Sequence, residues 1–160
     1  NDFTMYEKKF MQKAIRLAIE NVRCGTGGPF GAVVVKDGEV IAACGNTVTP
    51  DNDPTAHAEV NAIRKACQKM QSYQLKGCEI YCSCEPCPMC LGAIYWARPA
   101  RVYYASTKQD AADAGFDDSF IYKEMVLPEA VRSIPFLNER EKESGEEFRL
   151  WKKDTGKTEY

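Results

Sequence analysis

The sequence predicts an α/β fold in which one sheet lies between layers of helix. Two observations carry this reading. Segments with apolar residues at three- and four-residue steps alternate along the chain with short runs of Val, Ile, Tyr and Cys bounded by turn residues. After an initial hairpin, each strand is followed by a helical segment, the arrangement of parallel pairs covered by helices on both faces. The length of 160 residues is enough for one domain spanning 1–160 with a core that needs no crosslinks.

The elements follow in order. Residues 6–24 read as a helix because Met11, Ile15, Ala18 and Val22 share one face, and GTGGPFG at 25–31 stops it. Two apolar runs, 32–35 and 40–44, flank Asp37-Gly38, a hairpin turn signal because both residues tolerate positive φ. GNTVTPDNDPT at 45–55 is a loop by composition. Asp53 is placed to cap the next helix and Pro54 to enter its first turn, with Val60, Ile63, Ala66 and Met70 carrying that helix to about residue 70. CEIYC at 78–82 is a buried strand, a helix through Leu91, Ile94 and Tyr95 stops before Pro99, and RVYYA at 101–105 is another strand. The tail from about 129 is rich in Glu, Lys and Arg, with Phe148 and Trp151 on one helical face. Residues 1–4, NDFT, precede Met5 and carry no reading.

Composition narrows the function. The 21 Lys and Arg against 23 Asp and Glu leave a net charge of −2, which offers no electrostatic footprint for nucleic acid. No apolar run reaches the roughly 18 residues of a membrane span, and no signal peptide pattern opens the chain. Eight cysteines among 160 residues fall below the roughly 8–10% of a disulfide scaffold, so reduced thiols in a cytoplasmic protein are expected.

The chemistry concentrates in two places. Residues 82–90 read CSCEPCPMC, and His57, the one histidine of the chain, lies in TAHAEV two residues before Glu59. Cys87 and Cys90, three apart, fall on one helical face. One His and two Cys make a three-ligand zinc set that leaves a fourth position open, the mark of catalytic zinc. Zinc lowers the pKa of bound water from 15.7 to about 7, and a carboxylate such as Glu59 can carry its proton. On a regular helix His57 and Glu59 would face apart, so both reach one ion only if His57 sits at the helix cap. Cys82 and Cys84 then pack as small apolar residues. A closed structural site of Cys82, Cys84, Cys87 and Cys90 is the alternative, but it leaves His57 and Glu59 without a role. H-A-E followed by P-C-P-M-C matches the pattern of zinc deaminases.

With these motifs the chain resembles the cytidine-deaminase-like superfamily of zinc nucleobase deaminases, and within it the bacterial guanine-deaminase branch. GGPFGAVVVKDG at 27–38, NDPTAHAEV at 52–60, SCEPCPMCLGAIYWARP at 83–99 and AGFDDSFIYKE at 114–124 carry the resemblance, which runs to Glu159-Tyr160. It implies a three-layer α/β/α sandwich with a central mixed five-stranded sheet. One zinc per chain is held by His57, Cys87 and Cys90. It implies a homodimer in which the segment from about 129 to 160 is swapped onto the partner, bringing Tyr160 over the neighbour's pocket. Phe30, Asn46, Ala58, Ser83, Trp96 and Asp118 are the implied purine contacts, Ser83 through its backbone carbonyl. The residues by themselves leave alternatives: Phe30 and Trp96 as core aromatics, Asn46 as a turn residue, Asp117 and Asp118 as a solvated pair or cap. The implied reaction is hydrolytic deamination of guanine at C2 by zinc-bound hydroxide, with Glu59 as proton shuttle, giving xanthine and ammonia. Guanosine, cytosine and a tRNA adenosine are the rival substrates, and neither nucleic acid nor membrane is an expected partner.

Overall fold

The computed structural model describes residues 5–160; residues 1–4 lie outside it. The described chain forms two compact units, one ending at Asp118 and one spanning Ser119–Tyr160.

The first unit opens with helix α1, Lys8–Cys24, whose Phe10, Met11, Ala14 and Ala18 are buried. It ends at Gly25, whose positive φ of 62° lets the backbone N–H turn back onto Asn21 and Val22. Strands β1 (Gly31–Lys36) and β2 (Glu39–Gly45) form the expected hairpin, with positive φ at both Asp37 and Gly38. A single turn, α2 (Val48–Asp51), interrupts the loop that composition predicted.

Helix α3 runs from Ala58 to Met70, later than Asp53 and Pro54 suggested, and His57 is its N-cap. The Asp53 side chain is spent locally, accepting from the Thr55 N–H (2.8 Å) and hydroxyl (2.7 Å), so it cannot cap a helix. Strand β3 (Cys78–Cys84) is buried throughout, helix α4 spans Pro88–Ala97, and strand β4 spans Arg101–Ser106. Helix α5, Lys108–Asp113, is opened by a capping box between Thr107 and Asp110.

The sheet is mixed, with order β2-β1-β3-β4: β1 pairs antiparallel with β2 and β3, and β3 pairs parallel with β4. It has four strands among the described residues, where the family resemblance implied five. Beyond β4 no period-two apolar run survives, and the apolar stretch 134–137 is broken by Pro135. On one face α1 packs Phe10, Met11 and Ala14 against Val33, Val35 and Tyr81. On the other, Ala58, Ala62 and Ala66 of α3 and Ile94 and Ala97 of α4 cover Val34, Ile80 and Cys82. This gives the helix–sheet–helix layering that the alternating pattern predicted.

Contact is closest where β1 begins. A Cβ on Gly31 would stand 2.1 Å from the Ala14 carbonyl oxygen, so only glycine lets α1 lie this near the strand. The topology gathers the start of β1, the end of β2 and the C-terminal ends of β3 and β4 at one end of the sheet, since Gly31 pairs with Gly45 and Cys84 with Ser106. The N-termini of α3 and α4 open there too.

The second unit contains α6 (Ser119–Met125), a 3₁₀ turn at Glu129–Val131 and α7 (Glu146–Lys153). None of its residues is buried. Among the described residues no helix is long and apolar enough to cross a membrane.

Candidate active site

The lone histidine and two of the four clustered cysteines meet. His57 Nδ1 lies 3.5 Å from Cys87 Sγ and 3.4 Å from Cys90 Sγ. All three ligand atoms fall within 4.8 Å of one another. Around one tetrahedral zinc, with Zn–N near 2.0 Å and Zn–S near 2.3 Å, nitrogen and sulfur would stand about 3.5 Å apart. The donor set and its spacing therefore fit zinc, with a fourth position for water or substrate.

Local structure explains the convergence. His57 is extended (φ −68°, ψ 154°) at the cap of α3, so its ring leaves the chain before helical geometry begins. Cys87 occupies the same position on α4 (φ −68°, ψ 170°), with Pro88 fixing the first turn and Cys90 one turn in. Two helix N-termini thus face the cluster, and their dipoles favour the negative charge of thiolates. The condition set by the H-x-E spacing, a histidine outside the helix, is met.

The three side chains shift one another's protonation. A hydrogen bond from the Cys90 thiol, followed by one from the imidazole, holds the Cys87 pKa down to about 4 against the opposing effect of burial. Cys90 is pushed up, first by that same bond to Cys87 and then by burial. The contact with Cys87 also raises His57. A divalent cation would take the place of these protons, since ligands bind it deprotonated.

Glu59, in the first turn of α3, is only 6% exposed, and burial raises its carboxyl pKa. Its carboxyl interacts with the Cys90 thiol and with the charges of Cys87 and His57, which places it beside the ligand set. Ala58 between them is fully buried and packs into the sheet.

Cys82 and Cys84 stand apart from the cluster. Both are buried; burial lifts the Cys82 pKa well above that of a free thiol and brings that of Cys84 to about 11. The Cys84 thiol donates to the Thr107 carbonyl. Among the described residues the group able to hold a metal is His57, Cys87 and Cys90, so the four-thiolate clip does not form.

The expected purine contacts divide. Asn46 is buried, and its Oδ1 accepts from the Val48 N–H (3.1 Å) and the Gly28 N–H (3.4 Å), which leaves its two Nδ2–H donors for a ligand. Phe30 stands half-buried, edge to face with Phe116 at 5.1 Å. Asp118 is partly buried; burial first, then the charge of Cys87, raises its carboxyl pKa. Ser83 is buried, and its Oγ accepts from the Gly31 N–H at 2.9 Å. Trp96 near the end of α4 is 63% exposed, and Tyr160 is 71% exposed.

A cavity of about 500 Å³ opens between α1 and α5, with Phe30 in its lining. It touches Phe30, Ser83 and Cys84 but none of His57, Glu59, Cys87 or Cys90, so the chemistry lies outside it. Sequence reasoning overlooked Asn21, which bonds the loop ahead of Phe30 to the backbone of Asn46. An amide inside an apolar-periodic helix was the available signal.

Comparison with known proteins agrees with this geometry. Residues 5–106 match the family described as "Cytidine and deoxycytidylate deaminase zinc-binding region". The guanine deaminase of Bacillus subtilis is 57% identical over 156 residues, covering 98% of this chain and all of that protein. Its X-ray structure superposes with a TM-score of 0.94 over 98% of this chain and 99% of that one. A guanine deaminase from Nitrosomonas europaea, 33% identical, aligns with a TM-score of 0.66 over 71% of this chain and 66% of that one. The tRNA-specific adenosine deaminase of Aquifex aeolicus is 39% identical over 102 residues, 64% of this chain and 67% of that protein. By motif, geometry and similarity together, the chain belongs to the zinc-dependent cytidine and deoxycytidylate deaminase family.

Proposed function

We propose that this chain is a guanine deaminase that hydrolyses the C2 amino group of guanine, giving xanthine and ammonia. The observation that carries the reading is the extent of the likeness. Similarity to the Bacillus subtilis guanine deaminase continues past the zinc-binding region through Asp118 and the tail, whereas the match to the Aquifex tRNA deaminase covers 64% of the chain.

His57, Cys87 and Cys90 would hold one zinc per chain. Bound there, zinc supplies Lewis acidity and a water acidic enough to act as nucleophile near neutral pH. The remaining work falls to the protein. Glu59, buried beside the ligands, accepts the proton of the attacking water and delivers it to the ring nitrogen next to C2. As the C2–N bond breaks, Glu59 takes the remaining proton from the new C2 hydroxyl and carries it to the amino group, which leaves as ammonia while C2 keeps the oxygen as a carbonyl. Asn46 presents donors to an acceptor on the purine edge, and Asp118 accepts from a ring N–H. A buried polar group left unpaired by the wrong base would cost about 1–3 kcal/mol, so each contact discriminates. Phe30 supplies a stacking face, Ala58 lines the floor, and the Ser83 carbonyl receives the amine.

An ammonia-release panel with guanine, guanosine, cytosine, cytidine and adenine tests the assignment. Guanine is expected to be the fastest substrate. Turnover of cytosine without turnover of guanine would refute the substrate while keeping the zinc chemistry.

The homodimer belongs to the same proposal. The unit Ser119–Tyr160 buries none of its residues and exposes Phe120 (58%), Met125 (62%), Ile134 (74%) and Phe148 (66%). Apolar surface of that extent needs a partner surface, and a second copy whose tail, about 129–160, is exchanged would also bring its Tyr160 over the neighbour's pocket. Sedimentation equilibrium is expected to give the mass of two chains. A monomer at micromolar concentration would contradict it.

A further inference from the structure

We propose that Asn21, on α1 and remote from the metal ligands in sequence, is a positioning residue that sets the affinity of the site for its purine. The inference rests on the guanine reading of Asn46 and Phe30 and extends it to a residue that meets no substrate.

The Asn21 amide stands between two stretches of backbone. Its Nδ2 donates to the Asn46 carbonyl at 2.9 Å and to the Gly28 carbonyl at 3.0 Å, and its Oδ1 accepts from the Thr26 hydroxyl at 3.0 Å. The amide can sit only this way round, because the flipped form would set its oxygen against two carbonyl oxygens. Its own backbone carbonyl accepts from the Thr26 N–H at 3.0 Å, so the loop leading to Phe30 is tied to α1 by both backbone and side chain.

Packing around the amide is equally restrictive. A Cβ on Gly45 would lie 2.7 Å from Asn21 Nδ2, and one on Gly27 would lie 1.9 Å from the Asn46 carbonyl oxygen and 3.0 Å from Asn21 Nδ2. Glycines on both sides let the chain close on this one side chain.

The two segments Asn21 joins carry the purine contacts. Asn46 donates its backbone N–H to the Phe30 carbonyl at 3.1 Å, and its Oδ1 accepts from Gly28 and Val48. Fixing the Asn46 carbonyl and the Gly28 carbonyl to one amide therefore fixes where the Asn46 Nδ2–H donors point and where the Phe30 ring stands. None of the bonds of the Asn21 side chain is made to His57, Glu59, Cys87 or Cys90. Its loss should weaken binding of the base while leaving the proton transfers of Glu59 in place.

Asn21→Asp and Asn21→Ala test this in the zinc-loaded full chain. Asp is nearly isosteric but faces two carbonyl oxygens with a charge instead of donors; Ala removes both the donors and the acceptor for Thr26 without adding a charge. Guanine KM is expected to rise about tenfold in Asn21→Asp and less in Asn21→Ala, with kcat within about threefold and zinc at one per chain. Should the Asp variant fail to fold, the Ala variant decides. Unchanged KM in a folded variant of an active parent overturns the inference, whether or not kcat or zinc content falls, because a purely structural brace would lower the active fraction and spare KM. A parent that leaves guanine untouched refutes the proposed function instead, and this inference with it.

Discussion

Glu59→Gln is expected to lower guanine turnover by about 10³–10⁴-fold while zinc stays at one per chain, as read by ammonia release and metal analysis on the same preparation. Gln keeps the volume of Glu and an oxygen able to accept from Cys90, so the buried first turn of α3 should remain packed. What it loses is the capacity to take and return a proton. The expected loss is at the upper end for general acid–base catalysis because one carboxylate serves two transfers, water to ring and then to the leaving amine. Among the described residues no other carboxylate as deeply buried lies beside the ligand set: Glu79, also 6% exposed, sits near the opposite end of β3. Turnover within tenfold of the parent would mean that another group carries the protons.

His57→Ala is expected to abolish both zinc retention and activity. Removal of an outer-shell partner already costs roughly 10–100-fold in metal affinity, and His57 would be one of three direct donors. Cys87 and Cys90 alone would leave an ion two-coordinate toward the protein. The measurement also separates two readings of CSCEPCPMC: a clip of four thiolates would keep its zinc without His57, whereas the observed cluster cannot. Retention of one zinc per chain after this substitution would overturn the ligand set.

Much of this was legible in the residues. The Asp37-Gly38 turn, the helix ending at Gly25 and the fully buried strand at Cys78–Cys84 follow from local backbone chemistry and apolar runs, and the structure has all three. Even the need for His57 to stand outside its helix could be argued from a spacing of two. The start of α3 was misplaced because Asp53 is a competent cap whose oxygen is captured by Thr55, a competition settled by a turn that sequence does not display. The fifth strand came from likeness to a family and not from the residues, which offer four extended runs; the four runs are the four strands. The bracing by Asn21 was invisible for a different reason. The amide in an apolar-periodic helix marks Asn21 as unusual, but the partners of its Nδ2 are backbone carbonyls 7 and 25 residues away, and carbonyls have no sequence signature.

The capping positions of His57 and Cys87 have a consequence for the unfolded chain. These two residues are 30 apart in sequence and enclose α3 and β3. An ion gripped by both would close that span into a loop, as a crosslink does. Because the fold alone assembles the site, the unfolded chain loses this closure, and the ion adds its binding free energy to the folded state only. The same three side chains that prepare the reaction would thus also act as a reversible crosslink of the folded chain. Its strength would rise with the free zinc concentration by mass action.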